Sequence, residues 1–77
     1  MQEEYSIFEY SFYMIRIKEL REEKEISQVE LAKAVLSDQS AISKYERGEL
    51  EPNLDTIKKL CKFFNVTSDY LLGIEND

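Results

Sequence analysis

The sequence predicts an all-α domain behind an aromatic N-terminal arm, and three observations predict it. From Met14 onward, apolar residues recur at spacings of three and four, the spacing of one helical face. Ser27, Asp38, Asn53 and Thr67, all residue types that cap helices, each stand just ahead of such a stretch. No stretch after Met14 alternates for long enough to demand a strand. With 77 residues, 43% apolar and 34% charged, the chain has the size and balance of one small globular domain.

The elements follow in order. Met14, Ile17 and Leu20 mark the inner face of a first helix over 14–24, with Glu22, Glu23 and Lys24 turned to solvent. Ser27 opens a second helix, and Glu30 three residues on completes a capping box, hydroxyl to one orphan N–H and carboxylate back to the other. Val29, Leu31, Ala32 and Val35 are its apolar positions. A short turn at Leu36–Ser37 leads to Asp38, which caps a third helix from Gln39 to about Arg47, ended by Gly48 in a left-handed conformation. Leu50–Asn53 reads as a loop, with Pro52 favouring extended backbone at Glu51. Asn53 caps a fourth helix whose stripe is Leu54, Ile57, Leu60, Cys61 and Phe64. Thr67 caps a last short helix through Tyr70–Leu72, closed by Gly73.

Composition excludes several kinds of chemistry. One cysteine, Cys61, cannot form an internal disulfide, and without histidine a metal site would rest on carboxylates alone. The commonest general base is therefore missing, and two glycines cannot build a phosphate-cradling loop. The expectation is no enzyme, no cofactor, no metal and no small-molecule substrate. No apolar run is long enough to span a membrane, and no base precedes Arg16 as the start of a secretory signal would require. The net charge of −6 argues against nucleic acid at first sight. The distribution softens that: the bases all lie between Arg16 and Lys62, and that part of the chain is close to neutral.

Two short helices joined by a tight turn, the second capped and polar on one side, are a geometry that reads a DNA major groove. On the third helix Ile42 and Tyr45 fall inward, while Gln39, Ser40, Ser43 and Lys44 fall outward as candidate base contacts. A glutamine amide can pair with adenine N6 and N7 together. Gln28, at the start of the second helix with its positive N-terminus behind it, suits a backbone phosphate. The competing reading makes both glutamines ordinary solvated amides. On the same competing reading Lys44, together with Lys58, Lys59 and Lys62, is solvating charge rather than a specific contact; Tyr45, Phe64 and Tyr70 read as core or core-edge aromatics, and Cys61 as a small buried hydrophobe.

In combination, S-Q-x-E-L-A from Ser27, I-S-x-Y-E-R-G from Ile42 and F-x-V-x-x-D-Y-L-L-G from Phe64 resemble the Xre-type (lambda-repressor-like) helix-turn-helix family of bacterial and phage regulators. The resemblance covers residues 15–73. It implies a five-helix bundle and a cytoplasmic, sequence-specific transcriptional regulator, most simply a repressor, that binds double-stranded DNA at a palindromic operator as a homodimer. It also implies base contacts from Gln39, Ser40, Ser43 and Lys44, phosphate contacts from Gln28 and Arg47, and a partly buried pair between Arg21 and Glu46. The alternative use of the same fold is a protein-interaction or antitoxin-like module with weak or no DNA binding.

Two departures stand out. The family usually has glycine where this chain has Leu36, and an apolar residue where it has Ser37. Leucine must accept a positive φ or alter the turn. A slightly altered turn is expected, with Leu36 itself supplying the missing apolar contact. Glu49 and Glu51 stand where basic residues are common, which lowers the number of phosphate contacts and the salt sensitivity of binding.

The chain thus divides into an acidic aromatic arm (1–13), a helix-turn-helix domain (14–73) and a tail (74–77). The arm fits a strand or a helix face equally well, and it carries Tyr5, Phe8, Tyr10 and Phe12 as candidate dimer-interface residues. The opposing expectation folds it back onto the first and last helices. Sedimentation of a chain beginning at Met14 separates the two: a shift to monomer is expected, and an undiminished dimer removes the arm from the interface.

Overall fold

The computed structural model describes residues 16–73, and within them the protein is a bundle of five helices. They are α1 (16–23), α2 (Gln28–Ala34), α3 (Gln39–Glu46), α4 (Leu54–Phe64) and α5 (Ser68–Leu71). The readings of the arm, of Met14 at the start of α1 and of the tail fall outside the described residues.

Helices of four to eleven residues are not stable alone in water. Two devices hold them here. The first is a shared core, to which each helix gives one fully buried aliphatic side chain: Ile17, Leu31, Ile42, Leu60 and Leu71. Each is worth roughly 1.5–3 kcal/mol relative to exposure. Leu20, Ala32, Val35, Tyr45 and Phe64 complete the cluster, and Cys61 packs against it half-buried, its thiol pushed up by desolvation. Tyr70 lies at the edge, with the Arg16 guanidinium 4.4 Å from its ring centroid.

The second device is capping at both ends. Ser27 Oγ accepts from the Glu30 N–H at 3.0 Å while Glu30 accepts from the Ser27 N–H at 2.7 Å, the expected box. Asp38, Asn53 and Thr67 accept from the Ala41, Thr56 and Tyr70 N–H groups at 2.8, 2.9 and 3.1 Å. Every helix then ends on a left-handed residue: Glu25, Leu36, Gly48, Asn65 and Gly73. After α2 the Leu36 N–H reaches Lys33 O and the Ser37 N–H reaches Ala32 O, the paired closure of a Schellman motif. The same pairing closes α1 through Glu25 and Ile26, and α3 through Gly48 and Glu49.

Four sequence expectations are corrected. The α2–α3 turn is not altered to suit leucine; Leu36 takes φ 57° and accepts the strain. Nor does Leu36 replace the missing apolar contact, being 79% exposed. A Schellman closure turns its left-handed residue outward and brings the next one back to the helix, and that next residue is the half-buried Ser37. Val29 is 45% exposed because the inner face of α2 follows Leu31, Ala32 and Val35, and Val29 is out of step with it. Leu54 keeps the angular position of the α4 stripe but is 68% exposed. Burial rises along that stripe from Leu54 through Ile57 to Leu60, so the first turn of α4 overhangs the core.

A non-glycine residue in the left-handed region costs roughly 1–2 kcal/mol, partly offset by the greater unfolded-state freedom of glycine. Leu36→Gly is therefore expected to stabilise the domain by about 0.5–1 kcal/mol, raising the melting temperature by several degrees. Thermal unfolding followed by circular dichroism checks this; an unchanged or lower midpoint contradicts it.

Candidate nucleic-acid interface

The α2–turn–α3 unit places the candidate base-reading residues on one edge. Ile42 and Tyr45 anchor the inner face of α3 in the core, which leaves Gln39, Ser40 and Lys44 exposed and Ser43 half-buried on the opposite side. Asp38 fixes where α3 starts, and so fixes Gln39 and Ser40 in its first turn.

Behind that edge lies a connected polar network. Glu46, the last residue of α3, is buried, and Arg21 of α1 meets it with two parallel hydrogen bonds, Nε to Oε2 at 2.6 Å and Nη2 to Oε1 at 3.1 Å. The two side chains are only 13% and 4% exposed. Arg21 Nη1 also donates to the Ile26 carbonyl at 2.9 Å, so the guanidinium is held on three sides. This side-on pairing to Glu46 is the main reason the Arg21 pKa is raised, against the opposing pull of burial. The pair expected between Arg21 and Glu46 is present and buried.

The network extends outward through two amides. Gln28 Nε2 donates to Glu46 Oε1 at 3.0 Å, and Gln39 Nε2 donates to Gln28 Oε1 at 3.1 Å. Gln28 therefore does not present the free amide that its place at the start of α2 suggested: it is half-buried and bonded at both ends, with one N–H unspoken for. Nothing local in the sequence announces the Gln28–Glu46 contact, because 18 positions separate the two residues.

The loop after α3 has its own cluster. Arg47 donates from Nε and Nη2 to the two carboxylate oxygens of Glu49 at 2.9 and 3.0 Å, and from Nη1 to the Ser43 hydroxyl. The bidentate bond lowers the Glu49 pKa, with Lys44 adding to the effect, and raises that of Arg47. Because the Glu49 value is depressed in the fold, the contribution of the pair is complete above the ordinary glutamate value and is lost as pH falls through the depressed one. Both side chains are half exposed, so the pair is screened and weak. Two expected contact residues, Ser43 and Arg47, are thus engaged with each other, and Arg47 also with Glu49, whereas Ser40, Lys44 and the Gln28-bonded Gln39 are exposed on the surface. Among the described residues no group of three or more potential ligand side chains could hold a metal ion, and no helix is long and apolar enough to cross a membrane.

Comparison with known proteins places this geometry in a class. A family model described as helix-turn-helix matches residues 17–71. This chain belongs to that helix-turn-helix family. Among individual proteins it is similar to the HTH-type transcriptional activator BcrR of Enterococcus faecalis, 40% identical over 60 residues that cover 78% of this chain and 29% of that protein. It is also similar to the HTH-type transcriptional regulator ImmR of Bacillus subtilis (strain 168), 40% identical over 58 residues, 75% of this chain and 46% of that one. The chain therefore spans less than half the length of these curated relatives. Its structure is similar to that of the P22 c2 repressor in complex with a synthetic operator, with a TM-score of 0.78 at 36% identity over 82% of this chain and 96% of that one. The restriction-modification controller protein C.AhdI of Aeromonas hydrophila is comparably similar, with a TM-score of 0.77 at 29% identity, covering 84% and 94% of the two chains.

Removing one partner of a buried ion pair leaves the other uncompensated, at about 3–5 kcal/mol. Glu46→Ala is expected to destabilise by that amount, a large share of the stability of so small a domain, measured by urea unfolding. A loss below about 1 kcal/mol would mean that Arg21 finds water or another acceptor.

Proposed function

We propose that this chain is a sequence-specific DNA-binding transcriptional regulator that lays α3 in the major groove and acts in the cytoplasm. The observation that carries the reading is the division of α3 into a face locked in the core by Ile42 and Tyr45 and an open edge of Gln39, Ser40 and Lys44. Family membership and similarity to the P22 c2 repressor, solved with its operator, support it.

In this reading Gln39 contacts a base through its amide, with Ser40, Lys44 and Ser43 beside it, and Gln28 and Arg47 hold phosphates that set the register. Arg47 reaches a phosphate by exchanging Glu49 for it, a feasible exchange for an exposed ion pair. That competition, with the exposed Glu51 nearby, makes binding weaker and less salt-dependent than for a loop with basic residues there. Two copies would occupy a palindromic site with their α3 helices in successive major grooves, and repression by covering a promoter is the simplest outcome. The capture of Arg47 by Glu49 is also the observation that favours the second reading, an interaction module that holds a protein partner and little or no DNA.

Selection of duplexes from a random pool, followed by gel shifts at low salt, separates the two. A half-site repeated about one helical turn away is expected. Gln39→Ala is expected to lose about 1–3 kcal/mol of preference at a single base position while leaving the others intact. No retained duplex even at low salt would overturn the DNA reading in favour of the partner module.

A further inference from the structure

The polar network has a direction, and the direction follows from donor and acceptor chemistry alone. A carboxylate can only accept hydrogen bonds and a guanidinium can only donate, whereas a glutamine amide offers an acceptor at one end and donors at the other. Glu46, clasped by Arg21, thus presents an acceptor to Gln28. Gln28 must turn its NH2 end inward to meet it, which leaves Oε1 facing outward. Gln39 meets that outward Oε1 with its own NH2 end. Each amide takes its setting from the one behind it, and the first takes its setting from an ion pair buried beneath the surface.

For Gln39 the consequence is chemical. One N–H is spent on Gln28; Oε1 and the second N–H remain, in a fixed order along the edge of α3. Adenine presents a donor at N6 and an acceptor at N7 in the major groove, and only one order of the amide matches both. The reversed amide, nearly identical in shape, would set acceptor against acceptor and donor against donor. An amide free to take both settings reads the position poorly.

We infer that Arg21 and Glu46, acting through Gln28, set the base preference of Gln39: they are positioning residues for specificity, although neither reaches the DNA. This deepens the proposed function and rests on it. The role differs from that of a structural ion pair, which affects stability and leaves the ranking of bases unchanged.

Two variants test it. Arg21→Met combined with Glu46→Gln removes both charges together, so no unpaired charge stays buried, and the new amide can offer Gln28 either end. Gln28→Met leaves the ion pair intact and cuts the relay one step later. Each is measured against four duplexes that differ only at the base pair identified by Gln39→Ala, at one salt concentration, with thermal unfolding in parallel. The wild-type ratio between best and worst base, about 10-fold or more for a bidentate amide contact, is expected to fall to within two- to threefold of unity in both variants. The salt slope should stay unchanged, since no exposed cation is altered. In the DNA-free protein, the side-chain NH2 protons of Gln39 should lose their distinct, bonded NMR signature in both variants.

A folded variant of either kind that keeps the wild-type ratio overturns the inference. If the double variant does not fold, Arg21→Lys takes its place: it keeps a buried cation beside Glu46 but gives up the two-pronged clasp, and a folded Arg21→Lys protein that keeps the wild-type ratio overturns the inference. Failure of the underlying reading looks different: wild-type protein would then show no preferred base at any position, or Gln39→Ala would change nothing, and the relay falls with it.

Discussion

Burying a carboxylate is unfavourable by several kcal/mol unless a cation is buried with it and both sets of hydrogen bonds are filled. Glu46 meets that condition through Arg21, and much of the molecule is arranged around the pair. It ties the end of α3 to α1, and through the third bond of Arg21 to the Ile26 carbonyl it also ties down the loop that leads into α2. A shift of α3 along its axis would strand both charges in the interior. The orientation of the exposed edge of α3 is thus held from behind by electrostatics as well as by the packing of Ile42 and Tyr45.

The rest of the bundle shows how helices this short persist. None carries enough internal hydrogen bonding to stand alone, so the orphan groups at each end matter in proportion. Four N-terminal caps and five left-handed C-terminal residues satisfy them. Only two of those five residues are glycine. At Glu25, Leu36 and Asn65 the bundle imposes a backbone conformation that a side chain disfavours, and the closing hydrogen bonds and core burial on either side outweigh the local cost.

The surface that faces outward is electrostatically divided. Lys44 and Arg47 lie on the same side as Glu49, which binds Arg47 with both oxygens. Close-range neutralisation of this kind weakens the long-range field that steers a protein toward a polyanion. The net charge of −6 does not extend to the exposed edge of α3, where Gln39, Ser40 and Lys44 include no acid.

Local chemistry made the helices legible in the sequence: the caps at Ser27, Asp38, Asn53 and Thr67 and the stops at Gly48 and Gly73 act within four residues of themselves, so a linear reading finds them. The inner and outer faces of α3 were legible for the same reason, since helical periodicity is a local property. Leu36, Val29 and Leu54 were not, because whether an apolar residue is covered depends on what lies opposite, and the chain does not record that. The capture of Gln28 by Glu46 and of Arg47 by Glu49 and Ser43 lay equally beyond reach. Hydrogen bonds between distant positions exist only once packing has brought donor and acceptor to within about 3 Å. The sequence by itself determined which residues lie on the outer side of α3, because periodicity is local, and the tertiary structure decided which of them are held by distant partners and which way the amides of Gln28 and Gln39 face.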